Sequence, residues 1–260
     1  IVAPAARAPR CPSEMVLVPP SLCVDRYESA LADVESGTLL SPYYAATPNL
    51  MAGARGDFAT RRERTGDLFA RALPLPALSE WQSTANITPI AIPLRDVQPS
   101  GYVTGLVARA ACEAAGKRLC KLDEWRKACK GSMGAQFPYG PTYREAACNV
   151  ATKEHPAALL HDNASIGHLD PRLDALSYPG APRPFPAGSI PTCASRWGDD
   201  AIYDMVGNID EWVDEKGGAF AGGFFARGTT NGCEAIVTAH PESYLDYSTG
   251  VRCCRDAAAE

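Results

Sequence analysis

Apolar and polar positions alternate only over short stretches of this chain, and the pattern is often interrupted. Met15-Val16-Leu17-Val18 is an apolar run closed by Pro19-Pro20, and Leu22 to Tyr27 is a second extended piece. Short apolar runs bounded by turn formers predict a strand pair. Cys11 and Cys23 flank the first run, and a bridge between them would staple the hairpin. Between residues 35 and 100, Pro42, Pro48, Pro74, Pro76, Pro89, Pro93 and Pro99 break any long element. Asp57 to Leu73 is the exception. Its Phe58, Leu68, Phe69 and Leu73 interleave with Arg61, Arg62 and Arg64 and predict one helix. The basic run reads as a solvated helix face, or alternatively as an anion or partner site.

A clear pair of helices follows. Leu106, Val107, Ala110, Ala111 and Ala114 recur at helical spacing, and Gly116 stands where a left-handed C-cap would stop the helix. Leu122, Trp125, Ala128 and Cys129 repeat the pattern, and Gly131 ends it. Beyond Gly131 the helical period disappears. Pro, Gly and Asn recur around short strands such as Ala201 to Met205 and Gly218 to Phe225. Residues 11–256 show no repeat, low-complexity segment or linker and read as one domain. Residues 1–10 read as a Pro/Ala tether and 257–260 as a tail.

Composition narrows the class. Hydrophobic residues make up 46% and charged residues 21%, which excludes a wholly disordered chain. No apolar stretch is long enough to span a membrane. The formal net charge of −5 argues against nucleic acid as the main partner. Ten cysteines, without two close-set C-x-x-C pairs, predict a disulfide framework made in an oxidising compartment. The expected location is therefore extracytoplasmic: periplasmic, cell-surface or secreted. The chain starts at Ile1 rather than Met, so a signal peptide or membrane tether would lie upstream. The triplets Asn86-Ile87-Thr88 and Asn163-Ala164-Ser165 would matter only in a eukaryotic secretory route.

Several blocks then fall in a telling order. Gly116-Lys117-Arg118-Leu119-Cys120 leads into Asp123-Glu124-Trp125. Phe137-Pro138-Tyr139-Gly140 and Cys148-Asn149-Val150 follow. Next come Tyr203-Asp204-Met205-Val206-Gly207-Asn208-Ile209-Asp210-Glu211-Trp212 and Gly217-Gly218-Ala219-Phe220, and the series closes on Gly250-Val251-Arg252-Cys253-Cys254. This series resembles the formylglycine-generating enzyme, or sulfatase-modifying factor, family, which also holds pyoverdine-maturation and ergothioneine-synthase domains. The opening Met15 to Pro19 and Cys23 to Glu28 are similar to the family's first strands. The resemblance implies an α+β, C-type-lectin-like fold over about 11–256, with low regular secondary structure and with 35–100 as a divergent insert.

The resemblance also implies two bridges, Cys112–Cys253 and Cys129–Cys233. For the remaining cysteines, Cys148–Cys193 and Cys120–Cys254 are the expected pairs; the competing reading leaves Cys120 and Cys254 as a free dithiol. Calcium is the implied cofactor. Gly207 to Glu211 concentrates hard oxygen donors, and the family's ligands match Asn208 and Glu211, with the carbonyl of Ile209 between. A second family site matches Asn149 and Val150 plus a later aspartate, with Asp162, Asp170 and Asp174 all open. The bland alternative for Asn208 and Glu211 is a turn with a capping Asn.

Two cysteines after the family's G-G-S bind copper(I), a soft metal suited to thiolates. Gly222 and Arg227 stand at those positions here, so no copper and no formylglycine generation are expected. An ergothioneine-synthase reading fails for want of an iron site, because His155, His161, His168 and His240 hold no i, i+4 pair. The clusters His161-Asp162 and His168-x-Asp170 read as surface loop or as a hard metal site. Catalytic residues are unknown, with Glu211, Glu234, Glu242, Tyr244 and Asp246 as undifferentiated acid–base candidates. The expectation is a calcium-stabilised binding or accessory subunit. It would grip a protein, peptide or small-molecule ligand through Gly222, Phe224, Phe225 and Arg227. The alternative is a family enzyme, an oxidoreductase or tautomerase of the pyoverdine-maturation type.

Overall fold

The computed structural model describes residues 10–61, 66, 68–150, 155–175 and 183–258. The expected tether up to residue 9 and the Arg61, Arg62 and Arg64 side chains lie outside that description. The N-terminal apolar run forms a hairpin of β1 (Met15–Val18) and β2 (Leu22–Asp25), with Met15 opposite Asp25. The hairpin is not left as a marginal two-stranded unit. The last strand, β12 (Cys253–Asp256), pairs with β2, and β5 (Arg118–Leu119) pairs with β12 on its other side, so one sheet joins both ends of the chain.

Strand β3 (Ser29–Asp33) pairs with β4 (Pro89–Pro93). Between them lie α1 (Pro48–Arg61), α2 (Leu68–Ala72) and α3 (Glu80–Thr84). The single helix expected from Asp57 to Leu73 is thus not what forms. The first helix begins nine residues earlier, at Pro48. Proline is compatible with a first helical turn because the N–H it lacks would have no partner there.

Helix α4 (Gly105–Ala114) opens on Thr104, whose side chain accepts the Val107 N–H at 3.0 Å. Gly116, at φ +67°, follows its end. The buried face is Ala108, Ala111 and Cys112, while Leu106 is 55% exposed, so the apolar stripe expected from Leu106 is displaced toward the cysteine. Helix α5 (Leu122–Lys130) buries Trp125, Ala128 and Cys129, as its spacing predicts. After the short α6 (Pro156–His161) come a hairpin of β6 (Ala194–Trp197) and β7 (Asp200–Tyr203), then β8 (Asp210–Val213), β9 (Ala219–Ala221), β10 (Ile236–Val237) and β11 (Thr249–Gly250). The last four form one sheet in the order β10-β9-β8-β11.

All ten cysteines are oxidised, as Cys11–Cys23, Cys112–Cys253, Cys120–Cys254, Cys129–Cys233 and Cys148–Cys193. Three of these pairs span 141, 134 and 104 residues. In the chain-entropy account, closing such a loop stabilises the fold by about 4–5 kcal/mol. Trp125 and Trp212 are both almost wholly buried, each in its own apolar cluster.

Candidate functional site

Strand β8 runs through the centre of its sheet, so all four of its residues are buried, including Asp210 and Glu211. Burying two consecutive carboxylates demands partners. Glu211 accepts the Trp125 indole N–H at 2.5 Å and the Arg252 Nε at 2.8 Å. Arg252 is itself fully buried and also donates to the carbonyls of Asp25 and Tyr203, each at 2.8 Å. Asp210 accepts the Gly223 N–H at 2.9 Å and grips Arg227, whose Nη2 lies 2.8 and 2.9 Å from its two oxygens. Burial pushes the Asp210 carboxyl up to about 7, against the opposing pull of Arg227.

The segment after β9 therefore has an inside and an outside. Gly222 is buried at φ +99°, and a Cβ there would sit 2.9 Å from the Met205 carbonyl and 3.2 Å from the Trp125 ring. Phe225 is fully buried and Phe224 nearly so. Only Arg227 of the four predicted gripping residues reaches the surface, with 36% of its side chain exposed and its guanidinium 5.2 Å from the Phe224 ring centre. It stands at the rim of a depression of about 230 Å³ that continues along Gly228–Asn231 and Ala235–Val237. Gly222, Phe224 and Phe225 are the wall behind that rim and offer no surface to a ligand.

A second polar layer lies beside it. Asp246 accepts the Tyr244 hydroxyl at 2.6 Å and the Ser248 hydroxyl at 2.7 Å. Burial first, then the Asp246 charge, raises both Tyr244 and Tyr247, so these phenols stay protonated. The Tyr247 hydroxyl is 2.9 Å from His155 Nε2, and burial lowers the basicity of that imidazole. The acid–base candidates are thus committed to neighbours. Glu234 pairs with Lys130 and Arg126, Glu242 with Arg109, and Tyr244 with Asp246. His155 and His168 share the Tyr247 ring, each 6.0 Å from it between ring centres, but form no metal-ligating cluster among the described residues. His161 faces Asp170 at 3.1 Å, His168 faces the Ala164 carbonyl, and His240 stacks on Tyr244.

The expected calcium ligands divide. The Asn208 side-chain oxygen already accepts Asn149 Nδ2 at 2.9 Å and the Phe185 N–H at 2.7 Å, while its amide nitrogen donates to Glu28. The Asn149 carbonyl accepts the Asn208 N–H, and the Ile209 N–H goes to Glu28 at 3.1 Å. Val150 is half-buried, its N–H bonded to the Cys148 carbonyl. With Glu211 held by Trp125 and Arg252, the side chains of Asn208 and Glu211 do not fit a cation. Glu28, which carries no role in the sequence pattern beyond an opening strand, is the buried acid that closes this network. Burial and its neighbours Asp204 and Glu211 raise its pKa well above the ordinary value.

Of the three aspartates left open, Asp162 accepts the Gly66 N–H and Asp170 pairs with Arg172. Asp174 differs: it is 3% exposed and neither carboxylate oxygen has a hydrogen-bond partner. One of those oxygens would collide with a Cβ at Gly101, and the Tyr247 carbonyl would lie 2.9 Å from the same point. A buried carboxylate without a donor, near a carbonyl, fits a hard cation. Among the described residues no group of three or more His, Cys, Asp or Glu side chains could hold a metal ion, so further ligands would have to be backbone oxygens or water.

Fold and site together define an α+β, disulfide-rich domain of the formylglycine-generating-enzyme type. The model of the sulfatase-modifying factor enzyme 1-like domain matches residues 77–257, most of the chain, and the chain belongs to that family. Similar solved structures include CarF, at 13% identity over 90% of this chain and 86% of that one, with a TM-score of 0.39. PvdO from Pseudomonas aeruginosa has 14% identity over 90% and 80%, with a TM-score of 0.41. The Major Tropism Determinant I1 variant has 11% identity over 97% of this chain and 55% of that one, with a TM-score of 0.48. At these values none of the three bears on activity. No curated protein matches the chain.

Proposed function

We propose that the chain is an extracytoplasmic binding or accessory domain that does not carry out copper-dependent cysteine oxidation. The supporting observation is the state of positions 222 and 227. One is a buried glycine with no room for a thiol, and the other is a guanidinium fixed by both oxygens of a buried aspartate. A guanidinium held in this way is pre-organised for recognition. The five disulfides support an oxidising compartment and leave no cysteine as a thiolate ligand. An acid–base enzyme is the second reading, favoured by an Asp210 carboxyl near neutrality beside the depression. Its complete burial and its double engagement with Arg227 count against it.

The test is a fragment library screened through backbone amide NMR shifts. Saturable shifts should gather on Gly223–Val237 and be lost in Arg227→Lys, which keeps the charge but not the planar fork. Oxidation of a cysteine-containing peptide by the copper(I)-loaded protein would overturn the reading.

Calcium is part of the same reading, with Asp174 as its carboxylate ligand. Bound calcium would neutralise that carboxylate and tie 170–174 to Gly101 and Tyr247. Thermal unfolding should shift upward with added calcium in the wild-type protein. It should not shift in Asp174→Asn, which should be at least as stable as wild type in EDTA because it removes a buried acid that has no hydrogen-bond partner. Equal calcium shifts in both proteins would remove Asp174 from the site.

A further inference from the structure

A second concavity shares no residue with the Arg227 rim. It measures about 420 Å³, within the range of small-molecule sites. Its floor and one wall come from the end of α5 and the Gly131–Met133 turn. A second wall is the Pro138 to Arg144 loop, and a third is the segment leading into β6. Two disulfides fix these walls. Cys129–Cys233 anchors the helix end beside Lys130, and Cys148–Cys193 ties the loop to the strand, where the Thr192 hydroxyl also donates to the Ala147 carbonyl at 2.9 Å. Such a pocket exists before any ligand arrives, which lowers the ordering cost of binding.

Its chemistry is cationic and apolar together. Lys130, Arg144 and Arg196 line it, and no acidic side chain is among the described residues that do. Lys130 is partly neutralised by Glu234, 2.5 Å away. Arg144 and Arg196 are exposed, and among the described residues neither has an acidic partner. Arg144 is nonetheless held in place: its guanidinium lies 4.8 Å from the centre of the Tyr139 ring, and its backbone N–H donates to the Tyr139 hydroxyl at 3.2 Å. Tyr139 in turn stacks on the buried Phe137 at 5.3 Å. Two uncompensated guanidinium groups in a concave site stand out in a chain of net charge −5. Met133, 76% exposed, adds a soft apolar contact beside them.

We propose that this pocket binds a small organic anion. Arg144 and Arg196 take the oxyanion head through charge-assisted hydrogen bonds, and Met133 and the neighbouring prolines cover a flat apolar body.

The test is calorimetric titration with phenylphosphonate, benzoate, benzyl alcohol and inorganic phosphate, with the Met133 methyl signal followed by NMR. At least one of the two aryl anions should bind saturably at one site and move that signal, and the better one reports whether the head is a phosphonate or a carboxylate. Benzyl alcohol should not bind. Arg144→Gln with Arg196→Gln should weaken the aryl anion by about tenfold or more, with an unchanged melting temperature because both side chains are exposed. Met133→Ala should weaken the aryl anions and leave inorganic phosphate unchanged. The proposal is overturned if neither aryl anion saturates or if the double variant binds as the wild type does. It is equally overturned if inorganic phosphate binds as tightly as phenylphosphonate, or if the shifts map away from Met133.

Discussion

Arg252 is fully enclosed and depends on Glu211 for charge balance, so this pair sets the residue-scale energetics of the centre. Glu211→Gln should cost about 3–5 kcal/mol, as removal of one partner of a buried pair does. Urea unfolding should show the same loss with calcium and with EDTA. A loss confined to calcium-containing buffer would restore Glu211 as a metal ligand. Asp25 offers a pH test. Burial raises its carboxyl from 3.8 to about 6, although Lys117 lies 2.6 Å away. Because the folded-state pKa is the higher, the proton binds the folded form more tightly. Its stabilisation is complete below about 4 and is lost as pH rises through about 6. The stability of wild type minus that of Asp25→Asn should therefore fall across that window and level off above it. A constant difference would contradict the burial account. The sequence pattern singled out Asn208 and Glu211 as calcium ligands, whereas their side chains are engaged by protein partners. Their actual partners were not legible, because Trp125 lies 86 positions from Glu211 and Glu28 lies 180 from Asn208. Pairings over such separations leave no local signal.

At the scale of elements, the bend after β9 decides whether this chain could carry its family's thiol. Gly222→Cys should destabilise the fold by roughly 1–3 kcal/mol through its positive φ, and by more through the approach to Met205 and Trp125. Urea unfolding measures it, and an unchanged midpoint would show that the bend adapts. Helices α4 and α5 were legible because a 3.6-residue period and a terminal glycine agree. The face of α4 was less so, because its buried side consists of small residues, Ala108, Ala111 and Cys112, while its largest apolar residue, Leu106, is turned outward. In 48–72 the prolines misled the reading, since Pro48 begins a helix rather than breaking one. The buried wall of Phe224 and Phe225 was equally hidden, because an aromatic pair after two glycines looks the same in a surface loop as in a core.

For the whole molecule, the account rests on cysteines spent entirely on cross-links. The bridges Cys112–Cys253 and Cys120–Cys254 hold α4 and β5 to the final strand, and Cys129–Cys233 ties α5 to the turn before β10. The proposed oxidising compartment and the proposed lack of thiol chemistry both rest on this one property of the chain. Alkylation of the denatured, unreduced protein, followed by intact-mass spectrometry, tests it most directly. The account predicts that no cysteine is modified and that all ten become modifiable only after reduction. Two modified cysteines at Cys120 and Cys254 would contradict it, and would return a reactive dithiol, and with it redox chemistry, to the centre of the function.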